Sequence, residues 1–126
     1  MKTPILALLA GAALAGGLAA TSASAAPPPR CFEANQVQGW QSTRGGTIYV
    51  RALNRVYRLD TTHCSPLLSA GAHIEVRGRG NDHICRPIDI DLRIQDRSGM
   101  NVSCQVTRVT PLTWAQAKAL PSRLRP

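Results

Sequence analysis

The sequence predicts a mainly β domain: a small barrel, OB-like or related, of five to six antiparallel-rich strands. A short helix after strand three, a short C-terminal helix and two disulfides complete the expected fold. Three observations predict it. Apolar and polar residues alternate with a period of two, most regularly where Ile88, Ile90, Leu92 and Ile94 interleave with Asp89, Asp91, Arg93 and Gln95. Gly, Asn and Pro punctuate the chain at short intervals, as turns between short strands require. Four cysteines, Cys31, Cys64, Cys85 and Cys104, follow what reads as an export leader, and an even count in an oxidising compartment implies two bridges.

The leader is residues 1–25. Lys2 supplies a positive start, Ile5 to Ala20 is uncharged, and Ala23-Ser24-Ala25 is an A-x-A cleavage signal, so cleavage is expected after Ala25. The apolar run is 16 residues rich in Ala and Gly, short of the ~20 a spanning helix needs. No cysteine follows Leu14-Ala15-Gly16, which argues against a lipid anchor, and no paired Arg precedes the run, which argues against twin-arginine export. A periplasmic or secreted protein without a membrane span, and monomeric, is the expectation. Residues 26–30 (Ala-Pro-Pro-Pro-Arg) read as a polyproline-like tether. A single β-rich domain follows over residues 31–122, then a basic tail over 123–126.

Within the domain, Val37 to Gln41 is a first strand, ended by the turn at Arg44-Gly45-Gly46. Thr47 to Leu53 is β-branched and aromatic, and Asn54-Arg55 turns it back into Val56 to Asp60 as a hairpin. Ser65-Pro66 opens a helical turn or two within Thr61–Ala70, stopped by Gly71. Ile74 and Val76 alternate with charged neighbours in a fourth strand, Ile88 to Ile94 is the fifth, and Val102, Cys104 and Val106 form the sixth. Thr113-Trp114-Ala115-Gln116 is a capping box that starts a helix ended by Pro121. Trp40 and Trp114 are assigned to the core. The first five strands and the helix follow the order of an OB barrel. Were the strands flanking the helix parallel, Cys64 and Cys85 would share one end of the sheet, so the preferred pairs are Cys64–Cys85 and Cys31–Cys104.

The formal net charge is +8, and Lys118 is the only lysine besides Lys2, so guanidinium groups carry nearly all of it. Scattered Arg serves solubility. It also recognises phosphate and carboxylate through paired N–H groups. Arg51, Arg58, Arg77 and Arg79, with Tyr49 and Tyr57, are the candidate anion-binding set, and an anionic polymer or another exported protein is the candidate partner. No cofactor or metal is expected. His63-Cys64 and His83-Ile84-Cys85 hold zinc-type donors, but lack zinc-finger spacing, and oxidation competes for the thiols. Asp89 and Asp91, roughly 6–7 Å apart on one strand face, read as a solvated surface partnered by Arg93. The serines and histidines form no nucleophile elbow, so no catalytic residue is assigned.

Cys31-Phe32, Gly39-Trp40, Ile48 to Arg51, Val56 to Asp60, Cys64, Ile84-Cys85, Asp89 to Ile94, Cys104 to Val106 and Thr110 to Thr113 together resemble a bacterial domain-of-unknown-function family. Its members are small exported four-cysteine proteins. The resemblance supports the disulfide frame and implies no activity. The functional expectation is a non-catalytic binding domain, with anionic ligands as the candidate class. A secreted inhibitor or accessory subunit is the alternative, and a small hydrolase comes third.

Overall fold

Most of the longer strands of this chain carry one face of apolar side chains, and a barrel interior buries those faces together. The computed structural model describes residues 27–64, 66, 68 and 72–126. The strands among them are β1 (Phe32–Glu33), β2 (Val37–Ser42), β3 (Thr47–Ala52), β4 (Arg55–Thr62), β5 (His73–Gly78), β6 (His83–Ile84), β7 (Ile90–Gln95) and β8 (Asn101–Pro111). One α-helix, α1 (Trp114–Ala119), follows, and short 3-10 turns occupy Ala34–Gln36, Pro87–Asp89 and Ser122–Leu124. The leader over 1–25 lies outside the described residues. So do residues 65, 67 and 69–71, on which most of the helix expected after strand three would fall.

Six strands pair in the order β2-β3-β4-β8-β7-β5, every neighbour antiparallel, as a nearly closed barrel. It consists of two three-stranded meanders, β2-β3-β4 and β5-β7-β8, joined through their last strands. Here the chain departs from the five-stranded OB order and takes the related form. β8 joins the halves: Asn101 to Cys104 pair with β7, and Gln105 to Pro111 pair with β4. The opposite seam is bridged by the Ala34–Gln36 turn. Ala34 N–H donates to the Asp82 carbonyl at 2.8 Å, and Leu53 N–H donates to the Gln36 carbonyl at 3.3 Å. β1 and β6 pair beside it, Phe32 opposite Ile84.

Ile48, Val50, Leu59, Ile84, Leu92 and Ile94 are wholly buried in one core with Tyr57, Ile74, Ile90 and Val106. Burying each large apolar side chain stabilises by about 1.5–3 kcal/mol. Phe32 stacks at a tilt on Tyr57, ring centres 4.6 Å apart, and the Tyr57 hydroxyl donates to the Cys31 carbonyl at 3.1 Å. That contact fixes the start of the domain to the middle of β4. Gly78 ends β5 where a side chain would run into the Asn81 carbonyl, so the tight return to β6 needs glycine.

Three expectations are corrected. The disulfides are Cys31–Cys85 and Cys64–Cys104, not Cys64–Cys85 and Cys31–Cys104. The reason is register: Thr62 of β4 lies opposite Gln105 of β8, which sets Cys64 beside Cys104, while the β1–β6 pair sets Cys31 beside Cys85. Ile88 is 69% exposed, because Pro87 starts a 3-10 turn there and the alternation begins only at Ile90. Trp114 is 67% exposed, because α1 sits outside the barrel and buries none of its residues, whereas Trp40 does pack against the core.

Candidate functional site

The four predicted anion-binding arginines all project outward, but most are already engaged. Arg58 Nε holds Asp60 at 2.9 Å, and Arg77 holds Glu75 at 2.6 Å. Arg79 Nε donates to the Ile90 carbonyl at 3.1 Å. Arg51 alone of the four has none of these ties to a described residue. The arginines are also divided by topology: Arg51 and Arg58 are on adjacent β3 and β4, while β7 and β8 separate Arg77 on β5 from β4. Of the two tyrosines, Tyr57 belongs to the core, and Tyr49 is buried, opposite Arg58 and Gln41. Burial pushes the Tyr57 phenol above its ordinary pKa, with Arg55 pulling weakly the other way.

Arg51 instead lines a groove of about 490 Å³ between the β3–β4 hairpin and α1. Leu53, Val56, Trp114 and Ala117 supply apolar walls, and Lys118 and Arg125 join Arg51 as its cations. None of the side chains lining it is acidic, and Pro126 lines it beside Arg51, its main-chain carbonyl carbon and the Arg51 guanidinium both coming within 4 Å of where a side chain on Gly39 would begin. Local sequence explains each placement. Ala52 ends β3 and Arg55 begins β4, so Leu53-Asn54 is a two-residue hairpin loop, and Leu53 has φ 54°. A positive φ at the first loop position favours glycine, and a leucine there costs roughly 1–2 kcal/mol. The leucine is also 52% exposed. The fold thus holds a large apolar side chain out to solvent in an unfavourable backbone conformation.

Opposite it, the predicted capping box forms. Thr113 Oγ1 accepts from Gln116 N–H at 3.1 Å, and the Gln116 side chain accepts from Thr113 N–H at 2.9 Å. This box fixes Trp114 at the first position of α1. Lys118, one turn on, lies over the indole with its Nζ 5.6 Å from the ring centre, a cation–π contact. Arg125 closes the far end of the helix by donating to the Leu120 and Lys118 carbonyls at 2.9 and 2.8 Å. Leu53, Trp114 and Lys118 were absent from the sequence-predicted set. The sequence predicts the turn at Asn54-Arg55 and keeps Leu53 in the strand, whereas the loop falls one residue earlier, at Leu53-Asn54.

The acidic residues have structural partners, and Asp89 does not share a strand face with Asp91 as expected but ends the Pro87–Asp89 turn ahead of β7. Asp91 pairs with Arg93 at 3.0 Å, the same-face partner expected. Asp89 accepts from the backbone N–H of Cys85 at 3.1 Å and of Arg86 at 2.9 Å, and pairs with the Arg86 guanidinium at 3.2 Å. The Arg86 side-chain bond, aided by the backbone donors, holds its carboxyl below the ordinary pKa despite some desolvation. Asp96 is lowered in the same way, chiefly by the Ser98 hydroxyl at 2.6 Å. His63 and Cys64 do not join His83 and Cys85, since the two cysteines belong to different bridges. Among the described residues, no helix is long and apolar enough to cross a membrane.

No curated protein and no solved structure matches the chain. One family model does, over residues 1–125. With its four cysteines, barrel and matched length, the chain belongs to DUF6491, a family of unknown function.

Proposed function

We propose that this is an exported, non-catalytic binding domain, acting in the periplasm or outside the cell, that holds an anionic ligand bearing an apolar group. The site is the groove between the β3–β4 hairpin and α1. The observation that carries this reading is that exposed Leu53 and Trp114 flank a groove whose ionisable side chains, Arg51, Lys118 and Arg125, are all cationic. An apolar moiety packs between Leu53 and Trp114 while Arg51 and Lys118 take the negative charge. The leader, the Pro-rich tether and the two disulfides support work outside the cytoplasm.

Dodecyl phosphate below its micellar concentration, with the uncharged dodecyl maltoside as control, tests this by calorimetry. Arg51→Gln with Lys118→Gln is expected to weaken dodecyl phosphate binding about 2- to 30-fold, the effect of two exposed charge pairs worth ~0.2–1 kcal/mol each. The weakened binding should also lose most of its salt dependence. Arg58→Gln with Arg77→Gln, already ion-paired, is expected to change it little. Equal binding by wild type and the Arg51/Lys118 double variant would overturn the reading.

A secreted inhibitor or accessory subunit is the second reading. Ile88, exposed beside Pro87 on the other meander, favours it as a second apolar projection that a protein partner would cover. Binding through such a surface would be nearly independent of salt.

A further inference from the structure

We propose that Cys31, His83 and Cys85, once their disulfide is reduced, form a site for one thiophilic divalent cation of the zinc class. Their donor atoms lie within 4.8 Å of one another, and among the described residues no other such His/Cys/Asp/Glu group forms. The donor set, two thiolates and an imidazole, is one zinc favours, with water completing four-coordination.

Three further features suit a cation. The β1–β6 register sets Glu33 opposite His83, and Glu33 Oε1 lies 2.6 Å from His83 Nδ1. A carboxylate holding one ring nitrogen is the usual outer partner of a metal-binding histidine. Charge also favours it. Two carboxylates touch the site, Glu33 on the His83 ring and Asp89 on the Cys85 N–H, the latter shared with the Arg86 guanidinium at 3.2 Å. Finally, the two cysteines are held together by more than their bond. The β1–β6 pair and the Tyr57 hydroxyl on the Cys31 carbonyl join the same segments through hydrogen bonds that involve neither sulfur.

The two bridges differ in access. Cys64 and Cys104 are 2% and 4% exposed, whereas Cys31 and Cys85 are half-buried. A dithiol therefore reaches Cys31–Cys85 first, supplying two electrons and two protons to give two thiols and itself closing to a disulfide. The cation then displaces the two thiol protons.

The test uses the purified protein with limiting tris(carboxyethyl)phosphine, thiols mapped by alkylation and mass spectrometry, and Co²⁺ as the probe. The expected first product is alkylated at Cys31 and Cys85, keeps its β-sheet circular dichroism, and gains a thiolate-to-cobalt charge-transfer band absent from the oxidised protein. Removing an outer-shell partner costs about 10- to 100-fold in metal affinity. Glu33→Gln should therefore weaken Co²⁺ binding on that scale, and His83→Ala at least as much. First reduction at Cys64 and Cys104, loss of the sheet on reducing Cys31–Cys85, or a cobalt spectrum and affinity unchanged by His83→Ala would each overturn the proposal.

Discussion

Leu53 is held where its backbone disfavours it and its side chain gains nothing from the core, so its replacement separates stability from binding. Leu53→Gly relieves about 1–2 kcal/mol of left-handed strain and gives back roughly 0.4–1 kcal/mol through the freer unfolded chain. The variant is expected to be as stable as wild type or up to about 1.6 kcal/mol more stable by urea unfolding, and to bind dodecyl phosphate more weakly. A second expectation concerns acid. Asp89 and Asp96 titrate below their ordinary 3.8 in the folded protein, so below that pH the unfolded chain takes up protons more readily. Their stabilisation is present above about pH 4 and is lost as pH falls through the folded-state values. Urea midpoints measured from pH 7 down to pH 2 should show this loss, and Asp89→Asn should lower the pH 7 midpoint and flatten the acid limb. At this scale the sequence was legible where a side chain follows the strand period, as Ile90, Leu92 and Ile94 do. It misled at Ile88, where a single proline makes the alternation start one step late.

Among the elements, α1 is the one on which the groove depends, and its start was readable because a capping box is a local pattern needing no tertiary context. What it packs against was not readable. Six residues with no buried side chain carry no periodicity that says which face meets the barrel, and Trp114 was therefore assigned to the core. Thr113→Ala removes the side-chain acceptor of the cap and should cost about 1 kcal/mol. Because the helix is short, that loss is expected as local fraying, seen as faster amide exchange over Trp114–Ala119 and weaker ligand binding, with the barrel amides unchanged. The β3–β4 hairpin was legible from its β-branched run and short loop. β1 and β6, two residues each, lack the length to show any alternation, so the seam they form escaped notice.

For the whole molecule, the barrel was legible from strand number and spacing, whereas the pairing of distant strands was not. Nothing local in Thr62 or Gln105 says that they face each other, yet that register decides which cysteines meet. Replacing Cys64 and Cys104 by Ala removes a buried bridge across the β4–β8 seam and should cost about 2–5 kcal/mol in urea unfolding. Both bridges tie residues before position 65 to residues after position 84, and neither lies within one half. The peptide link between Cys64 and His73 is therefore not what keeps the halves together. A protease recognition sequence placed there should yield, after cleavage, one species heavier by a single water that parts into two fragments only on reduction. In covalent terms the domain is a disulfide-linked heterodimer made as one polypeptide, and its two fragments, synthesised separately, are expected to reassemble under oxidising conditions.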